Sequence, residues 1–218
     1  MSLIQRKPRP LARDAASLRD DRSFIVACDD TYAPKQYFEF FRITRVQVHV
    51  VPTEDGTSSA EHVLERLRSF EHEEDDELWM LLDTDHYATG SHLGSFVSTI
   101  ATAQQQGVNV ALSKPCFELW LLLHHEEESA VGSMSNCAEI EAALRQSVGQ
   151  YNKTKLAPEH YPLQSVSDAC KRAQRLDGAV AGGNIPSQNT SRVYQLWNAI
   201  VAKALPQQLP LELRDLLR

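Results

Sequence analysis

Four short apolar runs recur along the chain, each separated from the next by room for one helix: FIVAC at 24–28, RVQVHVV at 45–51, ELWMLL at 77–82 and VNVAL at 108–112. Runs this short and this apolar suit strands buried on both faces of a parallel sheet. The segments between them carry helix signals. Pro34 opens PKQYFEFFRI, whose aromatics at 37, 38, 40 and 41 fit a helix packed on a sheet. Ser58 or Ser59 is placed to cap a helix whose apolar positions are Val63, Leu64, Leu67 and Phe70. Leu93 to Gln106 makes a third helix, ended by Gly107. The alternation predicts an α/β fold, a four-stranded parallel sheet of order 2-1-3-4 with helices on both faces. After Pro115 the segment CFELWLLLHH opens an apolar helix, and residues 135–148, 164–178 and 188–205 read as further helices. The expected organisation is a basic N-terminal arm (1–22), an α/β core (23–130) and a helical C-terminal extension (131–218).

The net charge of −7 is unevenly spread. Residues 1–22 hold six basic and three acidic side chains, 23–144 hold six and 21, and 145–218 hold ten and five. A polyanion would be repelled by the middle segment unless bound metal offset its charge, while the two ends supply cations. The acidic runs Glu71–Glu77 and Glu126–Glu128 read as solvated faces. Four cysteines, Cys28, Cys116, Cys137 and Cys170, show no CxxC spacing and are expected as buried reduced thiols. The N-terminal residues lack the apolar stretch of a signal peptide, and the longest apolar run, Leu119–Leu123, is too short to span a bilayer. The expected setting is the cytoplasm, with no membrane partner.

Chemistry concentrates where the runs end. Asp83, Thr84 and Asp85 follow the third run directly, and alternation along an extended backbone would send both carboxylates the same way. Asp29 and Asp30 end the first run. Order 2-1-3-4 puts those two strands side by side, so Asp29, Asp83 and Asp85 would meet at their carboxyl ends, the usual ligand location in an open α/β sheet. Such an oxygen donor set suits Mg2+, or Mn2+, which keeps several waters and takes few protein carboxylates. No GxxxxGK[ST], GxGxxG or GxSxG pattern occurs, which removes the phosphate cradle or the nucleophile from P-loop, dinucleotide and serine-hydrolase readings.

FIVACDDTYAPKQYF, ELWMLLDTDH, SKPCFELWLLLHH, YNKTK and NIPSQNTSRVYQL, in that order, resemble the successive motifs of the RloB-like family over roughly residues 13–200. CFELWLLLH is the most specific of them. The family is a Toprim-related group of bacterial defence and restriction-linked loci, so the resemblance implies a Toprim/Rossmann-like core, an acidic residue after strand 1 and a DxD after strand 3, serving magnesium-dependent phosphodiester cleavage. Asp83 and Asp85 match the DxD. Asp29 stands where the family usually has glutamate, and Asp30 where it has glycine. Three outcomes stay open: Asp29 works through a bridging water, Asp30 shares its role, or catalysis is lost and binding retained.

Other residues carry two readings each. Glu118 is either a carboxylate satisfied by its neighbours or a further metal or water ligand; Lys114 contacts phosphate or sits in solvent. Lys153, beside Lys155 and Tyr151, either steadies charge on a transferring phosphate or, like Lys155, is a plain surface lysine. Asn184, Ser187, Asn189 and Thr190 form a polar turn, with Thr190 or Ser191 capping the last helix. His86, His124 and His125 invite a metal or general-base role without a partner at ligand spacing. By resemblance the chain is a metal-dependent nuclease of anti-phage defence, acting on RNA, including transfer RNA, in preference to DNA and kept in check by a cognate ATPase. The rival is a silent adaptor that binds nucleic acid or an ATPase through its basic C-terminal helices.

Overall fold

The computed structural model describes residues 21–53, 56–85, 87, 92–180 and 183–217, so the expected N-terminal arm falls outside it except for Asp21 and Arg22. Strands β1 (Arg22–Cys28), β2 (Val46–Val51), β3 (Glu77–Asp83) and β4 (Asn109–Lys114) pair in parallel in the order 2-1-3-4. A two-residue strand, β5 (Thr190–Ser191), adds to β4 antiparallel, with Ser113 opposite Ser191. Two residues are too few to leave a periodic trace, and β5 was not visible in the sequence.

Side chains alternate across the sheet and divide the core into two. Phe24, Val26 and Cys28 of β1, with Trp79 and Leu81 of β3, face one side. Helices α1 (Ala33–Glu39), α4 (Glu118–Leu122), α6 (Cys137–Val148), α7 (Leu163–Ala179) and α8 (Val193–Lys203) contribute buried residues to the same cluster. Ile25 and Ala27, with Met80 and Leu82, face the other side and meet α2 (Ala60–Ser69) and α3 (His92–Gln105). Placing α1 on one face and α2 and α3 on the other lets strand order run both ways from β1 with right-handed crossovers. It also leaves a crevice between the loops after β1 and β3. Trp120 and Trp197 are fully buried on the crowded face, where truncation of either to alanine costs about 3–5 kcal/mol.

Local signals behave as their chemistry dictates. Pro34 sits in the first turn of α1, Ser59 caps α2 by accepting the His62 N–H, and Gly107 follows α3 with φ +78°. Three expectations are corrected. The apolar helix after Pro115 is only the five-residue α4. Beyond it His125 and Glu126 both donate to the Leu122 carbonyl, and a short α5 (Glu128–Val131) follows. The run is apolar all round because it is buried all round, not because it is long. The last helix starts at Val193, not near 188: Thr190 and Ser191 belong to β5 and do not cap it. Finally, Cys28 and Cys170 are buried free thiols, but Cys116 and Cys137 form a disulfide. They lie 21 residues apart with no motif spacing, and it is the packing of α6 against α4 that joins them.

Among the described residues, no helix is long and apolar enough to cross a membrane.

Candidate active-site cleft

Strand β1 stops at Cys28 and β3 at Asp83, with Cys28 level with Leu81. Asp29 therefore leaves β1 beside the end of β3, and its Oδ2 accepts the Asp83 backbone N–H at 2.9 Å. A cleft of about 310 Å3 opens here, lined by Asp29, Asp30, Ser58, Asp83, Lys153 and neighbouring residues. Beyond Asp83 the backbone turns: the Pro115 carbonyl accepts N–H groups from both Thr84 and Asp85, at 3.0 and 3.1 Å. The expected alternation thus ends at Asp83, and Asp85 sits exposed in the turn instead of lining the cleft.

The cleft's electrostatics follow from crowding. Burial pushes the Asp29 carboxyl up to about 7, against the lowering effect of the Asp83 N–H, and Asp30 and Asp85 add to the rise. Burial, then the charges of Asp29 and Glu118, carries Asp83 well above the usual carboxylate range. Two carboxyls both raised above their ordinary range are what crowding without a counter-charge produces. The donors are all oxygen, so the residues present fit a hard divalent cation such as Mg2+ or Mn2+. One oxygen from each of Asp29, Asp83 and Asp85 does not form a compact trio. Among the described residues, the three potential ligand atoms lying within 4.8 Å of one another belong to Cys116, Glu118 and Cys137. Asp29 and Asp83 are thus the first candidates to hold a cation, its remaining positions going to water or to a repositioned Asp85.

Asp30 is spent differently. Its Oδ1 accepts the N–H groups of Tyr32 and Ala33 at 2.6 and 3.0 Å, fixing the start of α1, while Oδ2 lies 2.6 Å from Lys153 Nζ. Lys153 also reaches Glu118 Oε1 at 3.1 Å, where Tyr151 donates its hydroxyl at 2.9 Å. Burial opposes the charge on Lys153, but Glu118 and Asp30 outweigh it and hold the ammonium well above the ordinary lysine value. Glu118 is fully buried, and it is its Oε1 that receives both the Lys153 ammonium and the Tyr151 hydroxyl.

Gln36 and Arg66 position these groups, and neither was singled out from the sequence. Gln36 donates to the Lys153 carbonyl at 3.1 Å and accepts the Leu156 N–H at 2.9 Å, clamping the YNKTK loop to α1. Arg66 donates to the Cys28 carbonyl at 3.1 Å and to the Thr57 carbonyl at 2.7 Å, tying the end of β1 to the loop before α2.

The remaining candidates divide. Lys155 is exposed two residues beyond Lys153. Lys114 neither stands in solvent nor faces the cleft: it donates to the carbonyls of Pro186 and Ser187 at 3.1 and 3.0 Å. Asn189 likewise holds the Val131 and Met134 carbonyls. His124 is a core residue between the Tyr37 hydroxyl at 3.0 Å and Ser165 Oγ at 2.6 Å, and burial keeps its pKa well below the usual value. His125 is half-buried, its Nε2 without a partner, and burial lowers its pKa too. His86 lies outside the described residues.

Acidic side chains leaving adjacent parallel strands where the strand order reverses define an α/β protein with an acidic ligand crevice. The RloB-like protein family model matches residues 24–200, and the chain belongs to that family. No curated protein and no solved structure matches it.

Proposed function

We propose that this chain is a divalent-metal-dependent nuclease of the Toprim type, cleaving RNA, including transfer RNA, in preference to DNA as part of anti-phage defence. The observation that carries the reading is the Asp29–Asp83 contact: the Asp83 backbone N–H holds the Asp29 carboxylate at 2.9 Å, so both acidic residues line one open cleft with an ammonium group on its wall. Bound Mg2+ or Mn2+ would supply charge neutralisation at a phosphate and a more acidic water. Asp29 and Asp83 would hold the ion, with Asp85 joining from the turn. Asp29 Oδ2 accepts the Asp83 N–H, and a cation entering the cleft would compete with any proton on this carboxyl. Lys153, with a side chain 38% exposed, can turn part of its charge toward a phosphate oxygen while Asp30 and Glu118 keep it protonated. Lys155 adds a cation at the rim.

The family's usual glutamate is one methylene longer than Asp29, whose shorter side chain is held in place by the Asp83 N–H. The adaptor reading is weakened by pairing in the C-terminal helices. Arg172 and Arg175 are engaged with Glu127 and Glu128, Lys171 with Asp215, Arg192 with Asp177 and Lys203 with Glu77. Little of the basic excess there is left for a polyanion.

The test is to incubate purified protein, alone and with any ATPase encoded beside it, with labelled transfer RNA, single-stranded RNA and plasmid DNA, in Mg2+, Mn2+ or chelator. Cleavage that needs metal and falls about 100-fold or more in Asp83→Ala supports the nuclease. Binding without cleavage under all of these conditions would favour the adaptor.

A further inference from the structure

Glu118 is the one carboxylate at zero exposure among the described residues, yet only one of its oxygens has a donor. Oε1 receives the Tyr151 hydroxyl and Lys153. Oε2 faces Cys137 Sγ at 3.5 Å, and that sulfur is bonded to Cys116. A disulfide sulfur carries no hydrogen, so the contact supplies no donor, and an unfed buried carboxylate oxygen is costly. Reduction changes the chemistry of this corner. It leaves two thiols and a carboxylate oxygen whose ligand atoms already lie within 4.8 Å of one another.

We propose that Cys116, Cys137 and Glu118 form a redox-gated binding site for a thiophilic divalent cation, Zn2+ in the first instance, separate from the aspartate cleft and independent of the nuclease reading. Thiolate sulfur selects borderline or soft ions over magnesium. With Zn–S near 2.3 Å and Zn–O near 2.1 Å, a tetrahedral ion needs about 3.6 Å between sulfur and oxygen, close to the 3.5 Å already present between Cys137 and Glu118. The sulfur–sulfur pair has to open for both sulfurs to reach the ion. Opening consumes two electrons and two protons: a cellular dithiol breaks the S–S bond and becomes a disulfide itself, leaving two thiols. Binding then releases two protons, one from each thiol, and Glu118 Oε2 gains the positive partner it lacks. Cys116 is buried and Cys137 half-exposed, so the ion enters from the α6 side.

The full chain is stripped of metal, divided into untreated and phosphine-reduced portions, and titrated with Zn2+ alone against a chromophoric chelator, then with Co2+. The reduced protein should take up one tight equivalent and show a thiolate-to-cobalt charge-transfer band; the oxidised protein should do neither. Cys137→Ser should lose the band. Glu118→Gln should keep the fold by circular dichroism while weakening binding about 10-fold or more. Cys170→Ser, which alters a buried free thiol outside the trio, should behave as wild type. Equal uptake in both oxidation states, no band after reduction, or a band that survives Cys137→Ser would each overturn the site.

Discussion

The backbone N–H of Asp83 is aimed at the carboxylate of Asp29, 2.9 Å away, so the end of one strand fixes the acidic side chain that leaves its neighbour. Substitution of the Asp83 side chain leaves this backbone bond in place. Asp83→Asn and Asp83→Ala should therefore fold with Asp29 still anchored, and any loss of metal-dependent cleavage, expected at about 100-fold or more, reports the carboxylate itself. A thermal melt at or above the wild-type value alongside that loss is the expected pair of measurements.

The Asp29 carboxyl sits at about 7 when folded, above its ordinary value near 4, so the folded state binds the extra proton between those limits. Its contribution to stability is therefore greatest at low pH and declines as pH rises from about 4 to 7. Asp29→Asn should remove that decline and raise stability at pH 8 by on the order of 1–2 kcal/mol, read from denaturant curves at several pH values. Because a cation must displace the same proton, Mn2+ affinity of the wild type should climb through pH 7 in calorimetric titrations.

His124 works with the opposite sign. Burial depresses its folded pKa, so its neutral form contributes stability above the unfolded value near 6.5 that is lost as pH falls below it. His124→Phe should melt less cooperatively with the Tyr37 and Ser165 hydroxyls left unpartnered, but with a flatter acid limb between about pH 5 and 6.5. Melting temperature against pH for the two proteins checks it; an unchanged acid slope would remove His124 as its source.

Lys153 is the described cation within reach of Glu118. Lys153→Met strands a fully buried carboxylate and should cost about 3–5 kcal/mol, while Lys153→Met with Glu118→Gln should recover much of it. A double-mutant cycle by chemical denaturation gives the coupling. If the single and double variants are equally unstable, the pair is not what holds this corner.

Asn136 accepts the Glu139 N–H at the start of α6, and the Glu139 side chain returns to the Ser135 N–H. Asn136→Ala should cost about 1 kcal/mol in a denaturant melt.

The sheet could be read from the chain because its information is local: four buried runs, each a strand's length, and crossovers that admit few orders. The meeting of Asp29 with Asp83 followed from that order alone. What the sequence withheld was set by distant partners. Asp85 leaves the cleft because the Pro115 carbonyl, 30 residues on, captures its N–H. Lys114, open to a phosphate contact or to solvent as far as its own segment shows, donates to the carbonyls of residues 186 and 187, more than 70 residues on. Asp30, which resembles a second catalytic acid, spends one oxygen on the start of α1 and the other on Lys153. The Cys116–Cys137 bond depends on two helices whose contact no residue spacing encodes.

The wall of the cleft is built from opposite parts of the polypeptide, since Lys153 reaches back to Asp30 and Gln36 grips the loop that carries it. During synthesis Asp29 and Asp30 emerge from the ribosome well over a hundred residues, and Asp83 about 70 residues, ahead of the Lys153 that flanks them. A chain ended before the YNKTK loop would thus carry the acidic part of the cleft without the ammonium group that flanks it.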